Sequence, residues 1–262
     1  MLTKVLITVK TYPTLSDKYG ELVCTAGFKE DGNWIRIYPI PFRKLDYDKR
    51  YKKYQWIVAD LEKNLADPRP ESFYIKNHDN IYLGDVIDTE KGTWQTRKKF
   101  VLNKVYSDMD MLISESRDKQ KCTSLAVFKP SKVLDFVIEP SEKDWDQNIL
   151  SSLDQLDLFQ KYENPFKVVK KLPYKFSYIF EDHNCKEIKM MIEDWEIGQL
   201  YWNCLERKES EKLALVDVRK KYYDDFALTK DLLFFIGTTR QYHFIAKNPF
   251  IIIGTFHPKY SS

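Results

Sequence analysis

Short β-branched and aromatic runs, interrupted by turn residues, dominate the first 140 positions. Residues 4–10 (KVLITVK) form one such run, ended by a Pro/Ser turn. Residues 21–28 and 34–38 flank the segment KEDGN at 29–33, and Asp31-Gly32 at its centre is the clearest hairpin signal in the chain. Within WIRIY at 34–38 the pattern alternates, so Trp34, Arg36 and Tyr38 share one strand face and Ile35 and Ile37 the other. Residues 55–61, 100–106 and 133–138 continue the strand pattern, and DPRPE at 67–71 reads as a rigid loop. Short strands with frequent turns predict a β-rich, partly open barrel over residues 1–140.

The period then lengthens. Residues 145–162 place Ile149, Leu150, Leu153, Leu156, Leu158 and Phe159 at helical spacing, and Asn164-Pro165 breaks the pattern. This predicts a connector helix within 141–164 and a boundary near residue 165. Beyond it, residues 174–180 and 187–192 read as a hairpin around DHNCK at 182–186. Residues 193–205 carry an apolar helical stripe of Ile197, Leu200, Tyr201 and Cys204; residues 209–226 form a second helix with Leu213, Val216, Val218 and Tyr222 inward. Two strongly apolar strands, 232–237 and 249–256, follow. The expected class is α+β: an N-terminal β-rich barrel, then a smaller α+β domain over 165–262 with an antiparallel sheet.

Composition sharpens this reading. The chain has 262 residues, 43% hydrophobic and 31% charged, which suits a globular protein with a substantial core. Its net charge is only +3, so any cationic surface is local and a histone-like coating of nucleic acid is excluded. Cys24, Cys122, Cys185 and Cys204 are scattered without zinc or disulfide spacing, and neither a signal segment nor an apolar span is evident. A soluble, cytoplasmic protein without a membrane partner is expected.

Cations and rings concentrate in one window. Residues 34–55 hold seven Arg/Lys, six aromatics and two acids. Single-stranded nucleic acid requires both groups, cations for phosphates and flat rings for bases. Trp34, Arg36 and Tyr38 would stack bases while Arg43, Lys44, Lys49, Arg50, Lys52 and Lys53 follow phosphates. The same residues also suit a barrel core and a solvated loop held by Asp46 and Asp48. Leu83-Gly84-Asp85-Val86-Ile87 resembles a corner common in small barrels, among them PUA and ASCH-like folds, over five residues only.

Three further constellations carry chemistry. Glu196, Gln199 and Asn203 form a polar line on the 193–205 helix beside Trp195 and Trp202, an arrangement that suits a cleft reading base edges. Thr238, Thr239, Arg240 and His243 follow Gly237 between the last two strands and offer an anion cradle. Glu181, Asp182, Glu187 and Lys189 resemble a metal-dependent nuclease arrangement in which acids hold Mg²⁺. No nucleophile elbow, P-loop or dinucleotide fingerprint occurs. The expectation is a nucleic-acid-binding protein for single-stranded or modified DNA or RNA, with no cofactor. The alternatives are a Mg²⁺-dependent nuclease and a protein–protein adaptor.

Overall fold

In a computed structural model, which describes residues 1–16, 20–159 and 168–260, the chain builds two sheets. The first contains β1 (Leu2–Lys10), β2 (Thr14–Ser16), β3 (Gly20–Lys29), β4 (Trp34–Ile40), β5 (Gln55–Lys63), β6 (Ser72–Ile75) and β7 (Tyr82–Val86). Its pairing runs β1-β3-β4-β6-β5, and β5 returns to β1, so the barrel closes on itself. Closure satisfies both edges of every strand in the ring. Val5, Ile7, Val23, Ile35, Ile37, Ile57, Ala59 and Ile75 fill its interior. The Asp31-Gly32 hairpin forms as the sequence predicts, with Phe28 opposite Trp34.

The second sheet has the order β10-β11-β12-β14-β13-β9-β8. Its strands are β8 (Val105–Tyr106), β9 (Leu125–Phe128), β10 (Lys132–Pro140), β11 (Tyr174–Glu181), β12 (Glu187–Ile192), β13 (Leu233–Thr238) and β14 (Phe250–Phe256). It is mostly antiparallel, with parallel pairs at β12–β14 and β8–β9. Helices α1 (Gln95–Val101), α2 (Met109–Arg117), α3 (Gln147–Phe159), α4 (Trp195–Lys208) and α5 (Glu211–Arg219) accompany it, and α5 runs on into a π-helical segment, Lys220–Ala227.

β13 (LFFIGT) is buried at every position. One face gives Phe234 and Ile236 to a core with Phe128, Phe176, Tyr178, Ile197, Tyr201 and Tyr222. The other gives Leu233 and Phe235 to a cluster with Val9, Ala26 and Phe28 on the barrel's outer wall. A strand covered on both faces needs an unbroken apolar run, which is what its sequence supplies.

Several expectations change. Residues 100–106 are not a strand: Arg97 and Val101 are the buried positions of α1, four residues apart, and only Val105–Tyr106 is extended. The strand expected over 133–138 pairs with β11 in the second sheet. On α5 the inward residues are Ala214 and Val218, continued by Tyr222 and Phe226, while Leu213 and Val216 are exposed. Burial follows a spacing of four, the separation that stacks side chains on one helix face. The connector predicted over 141–164 holds α3 to Phe159, and the remainder, with the boundary at 165, lies outside the described residues.

Candidate ligand cavity between barrel and second sheet

The segment after the 3-10 turn at Tyr47–Lys49 re-enters the barrel through Tyr54, whose N–H donates to the Ile7 carbonyl at 2.5 Å. Tyr54 adopts φ +59°, and Trp94, at the start of α1, adopts φ +57°. Side chains with a Cβ are disfavoured in this left-handed region, at about 1–3 kcal/mol each, and such residues cluster at functional sites. Here both rings line the same cavity of about 510 Å³, with Lys52, Lys53, Arg97, Glu196, Leu200, Lys221, Tyr222, Phe226, Thr255 and His257.

The ring wall is continuous. Tyr54 and Trp94 meet edge to face at 5.7 Å, Trp94 contacts His257 at 4.9 Å, and His257 stacks on Phe226 at 3.6 Å between centroids. Arg97 holds the two strained residues in place. Its guanidinium lies 3.7 Å from the Tyr54 ring centroid and 4.7 Å from that of Trp94, and it donates twice to the Ile87 carbonyl. The Ile87 N–H in turn donates to the Tyr54 carbonyl at 2.7 Å. The Tyr54 hydroxyl is buried and has no hydrogen-bond partner among the described residues. A buried polar atom left unpaired costs about 1–3 kcal/mol, and in native proteins it calls for an explanation.

Charge enters from both halves of the fold. Asp194 caps α4 by accepting from the Glu196 N–H, and its buried carboxylate lies 3.3 Å from the Lys53 ammonium. Lys53 also donates to Glu196 at 2.8 Å. Burial alone would lower the Lys53 pKa, but Asp194 and Glu196 outweigh it and hold the group above the ordinary lysine value. Burial raises Asp194 to about 6, and it lowers His257 to about 3, with Lys53 adding to the shift. Lys52 and Lys221 are exposed on the solvent side of the cavity. Lys52, Lys53, Arg97 and Lys221 stand against Asp194, Glu196 and Asp225, a surplus of one cation, so the cavity suits an aromatic ligand that carries negative charge.

The sequence-predicted residues are redistributed. Arg36 is 2% exposed; it donates to the Ser124 hydroxyl at 2.7 Å and to the Ser124 and Thr238 carbonyls, with Glu71 3.7 Å away. Trp34 packs against Phe28 and Phe235. Tyr38 is half-buried, and Arg43 pairs with Glu21 at 2.6 Å. Arg50 donates to the Leu45 and Arg43 carbonyls, and Lys44 and Lys52 are exposed. The alternation of 34–38 therefore does not yield one open face, because the second sheet covers the Arg36 side.

Other candidates meet unexpectedly. Lys53 joins Glu196 at the cavity. Thr238 and His243 join Arg36 in the buried seam between the halves, where the Thr238 hydroxyl lies 2.7 Å from His243 Nδ1 and the Cys122 thiol 3.3 Å from its Nε2. Arg240 is exposed, and the Thr239 hydroxyl is buried without a partner among the described residues. Trp195, Gln199 and Trp202 line a second cavity of about 550 Å³ with Arg43, and Gln199 donates to Asn203.

The Glu181, Asp182, Glu187 and Lys189 set is not assembled as a site. Asp182 is fully buried and accepts from the Met109, Asn184 and Lys186 N–H groups, while Lys189 pairs with Glu139. Among the described residues, no three His, Cys, Asp or Glu side chains group to hold a metal ion. No helix among them is long and apolar enough to cross a membrane.

Tyr54, Trp94, Arg97 and Asp194 escaped the sequence reading. Only Tyr54 lies in the ring-rich window; the rest converge through tertiary structure and carry no local signal.

No curated protein matches the chain. A solved structure described as a murine DNA-binding protein bound with double-stranded DNA is similar over 100% of this chain and 97% of its own, at 10% identity and a TM-score of 0.31, too distant to bear on function. Two family models match, each described as a domain of unknown function: DUF8758 over residues 1–103 and DUF8757 over residues 105–262. The junction between them falls after the last barrel strand and just before the first strand of the second sheet. The second match spans more than half of the sequence, and the chain belongs to the DUF8757 family.

Proposed function

We propose that the protein binds nucleic acid, with an unpaired base entering the cavity between barrel and second sheet and the flanking phosphates meeting exposed lysines. One observation carries this reading: the rings of Tyr54, Trp94, Tyr222 and Phe226 and the cations Lys52, Lys53, Arg97 and Lys221 line a single cavity of about 510 Å³. Rings supply stacking surface, and cations supply phosphate contacts that release counterions. Lys44 and Arg50, exposed on the segment that leads to Lys52, extend the cationic path.

The test is anisotropy of a labelled single-stranded oligonucleotide over a salt series. Trp94→Ala removes one stacking ring and is expected to weaken binding by about 1–3 kcal/mol. Lys52→Ala and Lys221→Ala should each lower the salt slope by about one. No binding at low salt to DNA or RNA strands refutes the proposal.

A further inference from the structure

We infer that the cavity selects guanine among the bases, an inference that rests on reading it as a base site. Glu196 and Lys53 lie side by side on its wall, with the Glu196 carboxylate 2.8 Å from the ammonium. An ammonium has three donors. Glu196 takes one, and the two Asp194 oxygens, at 3.4 and 3.3 Å, share a second as a bifurcated bond, which leaves one for a ligand. The wall thus offers a carboxylate, able to accept two hydrogen bonds, beside one remaining donor.

Guanine presents the complement. Its N1–H and N2–H₂ groups donate in parallel to a carboxylate, and the adjacent O6 accepts from the ammonium. Thymine and uracil place carbonyl oxygens on both sides of their single N–H and would set one of them against Glu196. Adenine and cytosine offer one amino group beside a bare ring nitrogen, so only half of the carboxylate is used. A site built around paired donors rejects a ligand lacking them, because its polar groups then go unsatisfied.

The experiment uses the full chain with thymine oligonucleotides that carry a single central dG, dA, dC or dT, and with guanosine and thymidine 5′-monophosphates as competitors. The dG strand should bind about ten- to hundredfold more tightly than the all-thymine strand. Glu196→Gln should level dG and dT, compared under conditions where both proteins are folded, since the change also removes one of the two carboxylates that hold the buried Lys53.

Strands that bind alike whatever the central base overturn the guanine inference and leave the base-site reading standing. Binding of guanosine monophosphate, in preference to thymidine monophosphate, without binding of any strand supports the inference and overturns the polymer reading. Absence of binding by strands and mononucleotides overturns both.

Discussion

Replacing Arg36 by alanine tests whether its guanidinium is a structural tie or a ligand for phosphate. The side chain is sealed between the barrel and the second sheet, where it donates to Ser124 and Thr238 and lies 3.7 Å from Glu71. Its removal leaves the Glu71 carboxylate, itself 10% exposed, without its cation. Stranding one member of a buried pair costs about 3–5 kcal/mol. The carbonyl of Thr238 still accepts from Arg69 at 2.5 Å, and the Ser124 hydroxyl still meets Glu71, which places the expected loss near the lower end of that range.

Urea unfolding followed by tryptophan fluorescence should show the lowered midpoint at an unchanged slope. The double variant Arg36→Met with Glu71→Gln should lose less than the two single changes summed, because neither leaves a charge for the other to abandon. Oligonucleotide affinity, measured where both proteins are folded, should not change. A stability loss below about 1 kcal/mol, within the usual range for surface substitutions, would mean that the guanidinium reaches water, and the reasoning would fail.

Other outcomes follow from the same packing. His257, lowered to about 3 by burial, stays neutral while the unfolded chain takes a proton near 6.5; its contribution to stability is therefore present above pH 6.5 and is lost as pH falls toward 3. Asp194, raised to about 6, has the opposite slope and stabilises as pH falls, so His257 should be followed directly by NMR, where a midpoint near 6.5 would refute its burial. Lys53→Met strands the buried Asp194 carboxylate and should cost about 3–5 kcal/mol by chemical unfolding, largely recovered with Asp194→Asn. At Gly27 an added Cβ would stand 2.0 Å from the Leu6 carbonyl oxygen, so Gly27→Ala should cost more than the 1–3 kcal/mol typical of overpacking, whereas Gly84→Ala, 3.3 Å from its nearest neighbour, should melt close to the parent.

The elements that the sequence revealed are those whose own pattern decides them. The Asp31-Gly32 hairpin, the hairpin at 174–192, the stripe of Ile197, Tyr201 and Cys204, and the two closing apolar strands all formed as read. Where a partner from far along the chain decides, local pattern misled. Arg36 alternates with Ile35 and Ile37 as a solvent-facing residue would, yet Ser124 and Thr238 arrive from the second half and bury it. Leu213 looked inward because it is apolar, but the face is set by Ala214 and Val218, small enough for α4 to approach. The cavity was half legible. Lys53 and Glu196 each stand out in the sequence with nothing to join them, and Trp94 meets His257 only when α1 and the end of β14 bring them to one wall.

The central position of β13 and β14 has a consequence for biosynthesis. A ribosome releases the barrel long before these strands, and until they emerge the flank formed by Val9, Ala26 and Phe28 lacks Leu233, Phe235, Ile253 and Phe256, its partners from the last two strands. The nascent protein therefore carries a sticky side for most of its translation, a natural target for holdase chaperones. Two family signatures divide the sequence, but neither half is finished until the other is made.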